Sequence, residues 1–373
     1  MTRTLSRPIV ATGPSSLARR RASLWRAVIL PLLALALPAS AQVQAELTIG
    51  EQTGDFVLLG LRNGRLSCRP AHLPEGVEKE ISADAVEEAH FDIQVDRIAV
   101  RDALRRGDWA RAAAVLLTPC AKTLPFLSLP GNDAVEPVHA AGIYLMRAGE
   151  SALTEEERVT QYRRARVLFT RLVEARWHFY GEVAALRAIQ CTVELDELEE
   201  ARLAIAKLRE PKVGDGAHGL YWLVQGQLAA AGEDAVLACN AFSKTVTFDS
   251  KDPAVFAEAL YGFARAHETL YREALAIPPD DETAAAKRRQ GFNEVFRARD
   301  LYFECARLFP NRPSGQRALS DLRRLMDSGA LDAKEQKDVS KVFFGMEEDM
   351  NATVAEFLAE REPPVEDEPG EDE

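Results

Sequence analysis

The chain has 373 residues, of which 47% are apolar and 28% are charged, and its formal net charge is −12. This composition supplies enough apolar surface for a sizeable core and fits one extended array or two or three compact units. The acidic balance argues against nucleic acid and anionic lipid as partners, because both carry negative charge.

Residues 1–41 have the composition of a secretory signal peptide. Six arginines and no acidic residue occur there, an apolar run covers residues 27–37, and Ala39-Ser40-Ala41 forms an A-x-A cleavage site. We expect cleavage after Ala41, with Ala45 as the second choice. An uncleaved anchor is the alternative, although the run is short for a spanning helix. Loss of the six arginines takes the formal charge from −12 to −18 and predicts a periplasmic or secreted protein without a membrane span.

The five cysteines do not form a recognisable disulfide framework. They are odd in number, widely spaced and without a CxxC pair. Cys191, Cys239 and Cys305 fall on helical faces beside other apolar residues, where a free thiol behaves as a small hydrophobic group. The pattern favours buried thiols over disulfides.

Residues 42–95 are typical of a small antiparallel β module. Phe56 to Arg62 is a strand-like run, Asn63-Gly64 is a strong hairpin turn, and residues 65–68 return. Further strands are expected near residues 77–81 and 86–91. A sheet this small needs packing against another element for stability.

From about residue 96 the apolar period becomes helical. Residues 96–327 predict about five helical hairpins, and residues 328–373 predict a helix followed by an acidic tail that we expect to be disordered. A small residue precedes a bulky apolar one by four positions in several of the predicted second helices. The four such pairs are Ala165/Phe169, Ala201/Ile205, Ala238/Phe242 and Ala298/Tyr302. This spacing lets helices approach closely, as in stacked hairpins.

Residues 219–252 resemble a tetratricopeptide repeat. Trp222, Gly226, Ala238 and Phe242 stand at the offsets of the W-x3-G and A-x3-F positions. The last hairpin is similar, with Gly262, Ala298, Tyr302 and Pro310 at repeat positions and a long insertion, including residues 277–290, between the helices. The earlier hairpins match more loosely. The resemblance implies a right-handed α-solenoid, in which Trp222 and Phe242 are core residues rather than an aromatic ligand box.

In the tetratricopeptide family the first helices line a concave face that binds extended peptides or partner helices. The residues carried over by offset are Leu186, Gln190, Glu194, Leu223, Gln227, Phe263 and His267. Leu186 and Leu223 could equally pack against the next helix, so the predicted partner-binding residues are Gln190, Glu194, Gln227, Phe263 and His267. These positions lack the lysine and asparagine of the family's carboxylate clamp, so that mode of binding is not supported.

Catalytic signatures are absent from the sequence. We find no GxSxG, HExxH, phosphate-binding loop or dinucleotide fingerprint, and the six histidines have no metal-ligand spacing. The sequence therefore predicts a non-enzymatic protein, with no cofactor or metal, that acts as an exported scaffold for another cell-envelope protein. The alternative is a module that binds cell-wall polysaccharide or peptidoglycan through residues 42–95. Exposed aromatic residues there would favour this alternative, but only Phe56 and Phe91 are present.

Overall fold

The computed structural model is mainly helical, with a small antiparallel sheet near the N-terminus. The predicted signal peptide and acidic tail lie outside the described residues. The chain divides between Glu87 and Glu88 into two compact units. The structure describes residues 42–175, 180–213, 215–248, 252–278, 280–281, 284–331 and 341–361, the last range without the side chains of 341–347.

The first unit is an antiparallel sheet with strand order β4-β3-β2-β1. The Asn63-Gly64 hairpin is confirmed: both residues have positive φ, 50° and 73°, as a two-residue turn requires. The strand Val43–Ile49 was not predicted, although its side chains alternate between buried and exposed over most of its length. The strands are β1 (Val43–Ile49), β2 (Gln52–Arg62), β3 (Arg65–Pro70) and β4 (Lys79–Ser82).

The second unit begins with a short strand, β5 (Glu88–His90), and continues as helices. These are α1 (Arg97–Arg105), α2 (Trp109–Cys120), α3 (Val135–Glu150), α4 (Glu155–Glu174), α5 (Gly181–Glu194), α6 (Leu198–Ile205), α7 (His218–Ala231), α8 (Ala235–Phe248), α9 (Pro253–Leu275), α10 (Ala285–Phe292), α11 (Glu294–Leu308), α12 (Pro313–Asp327) and α13 (Lys341–Ala359).

Local sequence explains where several helices begin. The side chain of Asp108 accepts a hydrogen bond from the backbone N–H of Arg111 at 3.0 Å and so caps α2, as its position before Trp109 predicts. Asp252 caps α9 in the same way, and Pro253 follows at the first helical position, where its missing N–H costs nothing.

The core of the helical unit consists of three apolar clusters that share helices. The first cluster includes residues of α2 to α5, the second includes residues of α5 to α9, and the third includes residues of α9, α11, α12 and α13. Consecutive helices pack against each other, and α7 also contacts both α5 and α9. Most helices therefore bury their apolar faces against their neighbours in the sequence, and α9 also packs extensively against α11.

Candidate binding cleft

The close approach of α7, α8 and α9 depends on two glycines facing one phenyl ring. A β-carbon added to Gly226 on α7 would lie 2.6 Å from the ring of Phe242, and one added to Gly262 on α9 would lie 2.5 Å from the same ring. Phe242 is 2% exposed. The ring therefore fills the space that the missing side chains leave, and it fixes the rotation of both neighbouring helices.

The other residues at the repeat-like positions are also mostly buried. Gly142 on α3 faces the ring of Phe169 as closely as Gly226 faces that of Phe242. Trp222 is only partly buried, and the ammonium of Lys244 lies 3.3 Å from the centroid of its ring. The buried members are Ala165, Phe169, Ala201, Ile205, Ala238, Ala298 and Tyr302, together with Leu186 and Leu223.

A cleft of about 590 Å³ opens beside this packed region. The C-terminal ends of α3, α5 and α7 form one part of its wall, the N-terminal parts of α4 and α8 form another, and a face of α9 completes it with one residue of α12. Residues far apart in sequence thus share one open surface, whose volume falls within the range typical of ligand pockets.

Two of the predicted partner-binding residues, Glu194 and Gln227, line the cleft. Gln190 lies beneath it and is 2% exposed. The Oε1 atom of Gln190 accepts a hydrogen bond from Arg187 at 2.7 Å, and its Nε2 donates to Oε2 of Glu258, a lining residue, at 3.2 Å. Gln190 therefore positions Glu258 and is not itself accessible to a partner.

Phe263 and His267 are not among the residues that line the cleft. His267 is 6% exposed, and its Nδ1 lies 2.5 Å from Oε2 of Glu294 on α11. Burial lowers the pKa of His267, while hydrogen bonding to Glu294 opposes that effect. The ring of Phe263 packs 4.6 Å from that of His267. Both side chains thus occupy a different face of α9 from the one that the cleft exposes.

On α9 the cleft is lined instead by Glu258, Tyr261, Arg265 and Thr269. Successive residues of this set are three or four positions apart, so they share one face of α9, and Gly262, which meets Phe242, also lines the cleft. Phe263 was selected because it follows Gly262 by one position, as Gln227 follows Gly226 on α7. One residue corresponds to a rotation of about 100° around an α-helix, so Phe263 lies on a different side of α9 from Gly262. The helical spacing of these four polar residues was the feature of the sequence that could have identified this face of α9.

A buried ion-pair network connects α3 to α9 at the floor of the cleft. The Nη1 atom of Arg147 lies 2.7 Å from Oε2 of Glu150, and its Nη2 lies 2.8 Å from Oε1 of Glu258. All three side chains are at least 88% buried. Burial and the neighbouring Glu258 carboxylate raise the pKa of Glu150, and Arg147 opposes the shift. One guanidinium therefore serves two carboxylates.

Glu194 is paired less completely. Arg158 forms two contacts of 2.8 Å with Glu155, and its Nη1 also donates to the backbone carbonyl of Glu194 at 2.5 Å. The carboxylate of Glu194 is 3.6 Å from the same Nη1 atom, and 35% of its side chain is exposed. Partial burial and the charge of Glu150 raise the pKa of Glu194, whereas Arg158 and Arg317 lower it.

Within the described ranges, no group of three or more His, Cys, Asp or Glu side chains is placed to hold a metal ion. All five cysteines are free thiols, as predicted. In the same part of the chain, no helix combines the length and apolar composition needed to cross a bilayer.

Comparison with known proteins identified no relative of this chain. No protein-family model matches the chain, and neither a curated protein nor a solved structure matches it. The resemblance to tetratricopeptide repeats therefore rests on the residues and spacings named above.

Proposed function

We propose that this protein is a non-enzymatic, exported scaffold that binds another protein of the cell envelope through the cleft. The observation that carries the proposal is the cleft itself, an open surface to which seven helices contribute. Its wall combines carboxylates, guanidinium groups, a free amide and small apolar residues, which together suit the backbone and side chains of an extended segment.

We further propose that α1 to α12 form a right-handed solenoid of the tetratricopeptide type. The glycine-to-phenyl contacts of Gly226 and Gly142 support this, because they are the close helix approaches that the repeat positions predict. Packing between neighbours in sequence supports it as well. In such an array the cleft corresponds to the concave face, which explains why the ends of α3, α5 and α7 meet there.

The cellular location is part of the proposal. The basic segment, apolar run and A-x-A site in residues 1–41 predict export to the periplasm or beyond. The strongly acidic mature chain is then expected to bind protein rather than nucleic acid.

Photo-crosslinking in cells that export the full chain tests the proposal. A photoreactive phenylalanine analogue is placed at Gln227 in the cleft, at Glu75 in the first unit, or at Val213, which is 69% exposed and outside the cleft. We expect a discrete protein adduct from position 227 and none from position 213, identified by mass spectrometry.

The same experiment can reject the scaffold function. An adduct formed only from position 75, together with retention of the chain on purified cell-wall polysaccharide, would show that the first unit is the binding module. Secretion without any adduct from the cleft in the native envelope would contradict binding through this surface.

A further inference from the structure

The charges that line the cleft are unbalanced. In the part of the chain that the structure describes, the lining residues contribute five carboxylates and three guanidinium groups. Burial is unequal as well: Glu150 and Glu258 lie deep, with side chains 12% and 7% exposed, whereas Arg265 and Arg317 are exposed at the side formed by α9 and α12. Two of the five carboxylates thus lie where solvent screens their charge least.

The cations near these carboxylates are largely occupied. Arg147 contacts both Glu150 and Glu258. Among carboxylates, Arg158 contacts that of Glu155, outside the cleft, at 2.8 Å, and it leaves the Glu194 carboxylate at 3.6 Å. Arg317 lies over the ring of Tyr261, 4.8 Å from its centroid. Three carboxylates therefore share less positive charge than full pairing needs.

Two further observations indicate that the site lacks hydrogen-bond donors. The Oε1 atom of Gln227, another lining residue, is buried and accepts no hydrogen bond from any described residue. The raised pKa values of Glu150 and Glu194 arise from burial and from the repulsion among the carboxylates. Each of these groups would be stabilised by a cationic donor.

The cleft also offers a path for an aliphatic stem. Gly149 and Val193 line it next in sequence to Glu150 and Glu194, and Ala230 and Ala231 line it on α7, close to Gln227. Lysine and arginine side chains bury their methylene groups along such apolar surfaces while the charged end reaches polar partners.

We propose that the partner inserts a lysine or arginine side chain into the cleft, where Glu194, Glu150 and Glu258 surround its charged end and Gln227 accepts a hydrogen bond. This inference rests on the proposed function, since it names the chemistry of the segment that the cleft binds. Arg265 and Arg317, which also line the cleft, then meet the backbone carbonyls or an acidic residue of the same segment.

A peptide array probed with the purified mature protein tests the inference. Each random decapeptide is present in four versions, with lysine, arginine, norleucine or glutamate at the centre. We expect the lysine or arginine versions to be retained on the order of tenfold more strongly than the norleucine versions, and the glutamate versions least. The preference should weaken at high salt, because part of it is electrostatic.

Variants place the preference in the cleft. Glu194→Gln should abolish it, whereas Glu194→Asp keeps the charge and should keep it. The matched control Glu199→Gln removes a carboxylate that is 82% exposed and outside the cleft, and should have no effect. Thermal melting confirms that each variant is folded.

The outcomes separate the two proposals. Peptides bound equally well with lysine, norleucine or glutamate at the centre would overturn the cation site and leave the scaffold function standing. A lysine preference that survives Glu194→Gln would also overturn it, because the cation would then bind elsewhere. If no peptide is bound in any version, both the cation site and peptide binding by the cleft are contradicted.

Discussion

The hydroxyl of Tyr302 donates a hydrogen bond to Oε2 of Glu268 at 2.8 Å, joining α11 to α9. Tyr302 is fully buried, and the side chain of Glu268 is 6% exposed. The same carboxylate accepts two contacts from the guanidinium of Arg324 on α12, at 2.8 and 2.9 Å. A repeat-like core residue thus also satisfies a buried charge that three helices share.

We expect Tyr302→Phe to lower the free energy of unfolding by about 1 to 2 kcal/mol, because the largely buried carboxylate of Glu268 loses a hydrogen-bond donor. Urea unfolding followed by circular dichroism measures the change. Tyr144→Phe is the matched control: Tyr144 is half-buried and its hydroxyl forms no hydrogen bond with any residue that the structure describes, so the same chemical change should cost less than about 0.5 kcal/mol. Equal stability of the two variants would show that the Tyr302 bond contributes nothing net.

Gly226→Ala tests whether the phenyl ring of Phe242 sets the distance between α7 and α8. The added β-carbon would lie 2.6 Å from a ring that Gly262 confines from the other side, so the ring cannot move away freely. Overpacking typically costs about 1 to 3 kcal/mol. The higher helix propensity of alanine relative to glycine offsets up to about 1 kcal/mol of this cost. We expect a net loss of about 1 to 2 kcal/mol, measured by thermal and urea unfolding.

The control for this variant is Gly181→Ala at the start of α5. A β-carbon there meets no atom within 4 Å, so the substitution should be neutral or slightly stabilising. Phe242→Leu in the Gly226→Ala background should cost less than the sum of the two single changes, because leucine vacates the space that the methyl group needs. Additive losses would show that the ring does not limit the approach of the helices.

Local signals explain which parts of the fold could be predicted. The Asn63-Gly64 turn depends on two residues that tolerate positive φ, and the helices follow the apolar period. β1 was missed because Val43–Ile49 directly follows the expected cleavage site and no turn signal separates the two.

The candidate site was harder to predict because it depends on long-range geometry. The rotation of α9 is fixed by the contact of Gly262 with Phe242, so the family offset that selected Gln227 on α7 selected Phe263 and His267 on a different face of α9. The pairing of Arg147 with Glu258 joins helices far apart in the chain. No periodicity or spacing indicates which charges such a fold brings together.

His139 makes the stability of the protein sensitive to acid. Its ring lies 4.6 Å from that of Tyr180 and 5.8 Å from that of Phe169, and its Nε2 atom is buried and accepts no hydrogen bond from any described residue. Burial, with the positive charge of Arg187, lowers the pKa of His139 from 6.5 to about 4. Between these values the unfolded chain binds the proton and the folded chain does not, so stability falls as the pH falls from 6.5 to 4.

Replacement of this histidine by phenylalanine removes that proton-binding site. We expect wild type to lose up to about 3 kcal/mol more than His139→Phe between pH 6.5 and pH 4, measured by urea unfolding across the range. Glu150 and Glu194 act in the opposite direction in both proteins, since their raised pKa values favour the folded state at low pH. His72 is exposed, so His72→Gln is the control, and its free energy of unfolding should depend on pH as that of the wild type does. Parallel curves for wild type and His139→Phe would exclude the buried histidine as the source.

The five thiols should differ sharply in their reactivity. Cys68, Cys120, Cys191 and Cys305 are fully buried, whereas Cys239 is half-buried. Burial raises the pKa of Cys120 to about 11 and that of Cys305 to about 12, so almost no thiolate forms near neutral pH. We expect iodoacetamide to modify Cys239 first and slowly in the native protein, because burial raises its pKa to about 12 as well.

Peptide mapping by mass spectrometry measures the alkylation of each site, and the same reaction in guanidinium chloride, where all five should react, is the control. Rapid native modification of Cys68 or Cys305 would contradict the packing described for them. The periplasm, where we propose that the chain resides, oxidises accessible thiols. Four thiols held at zero exposure on separate strands and helices cannot meet a partner there, so we also expect the protein isolated from the periplasm without reductant to contain no intramolecular disulfide.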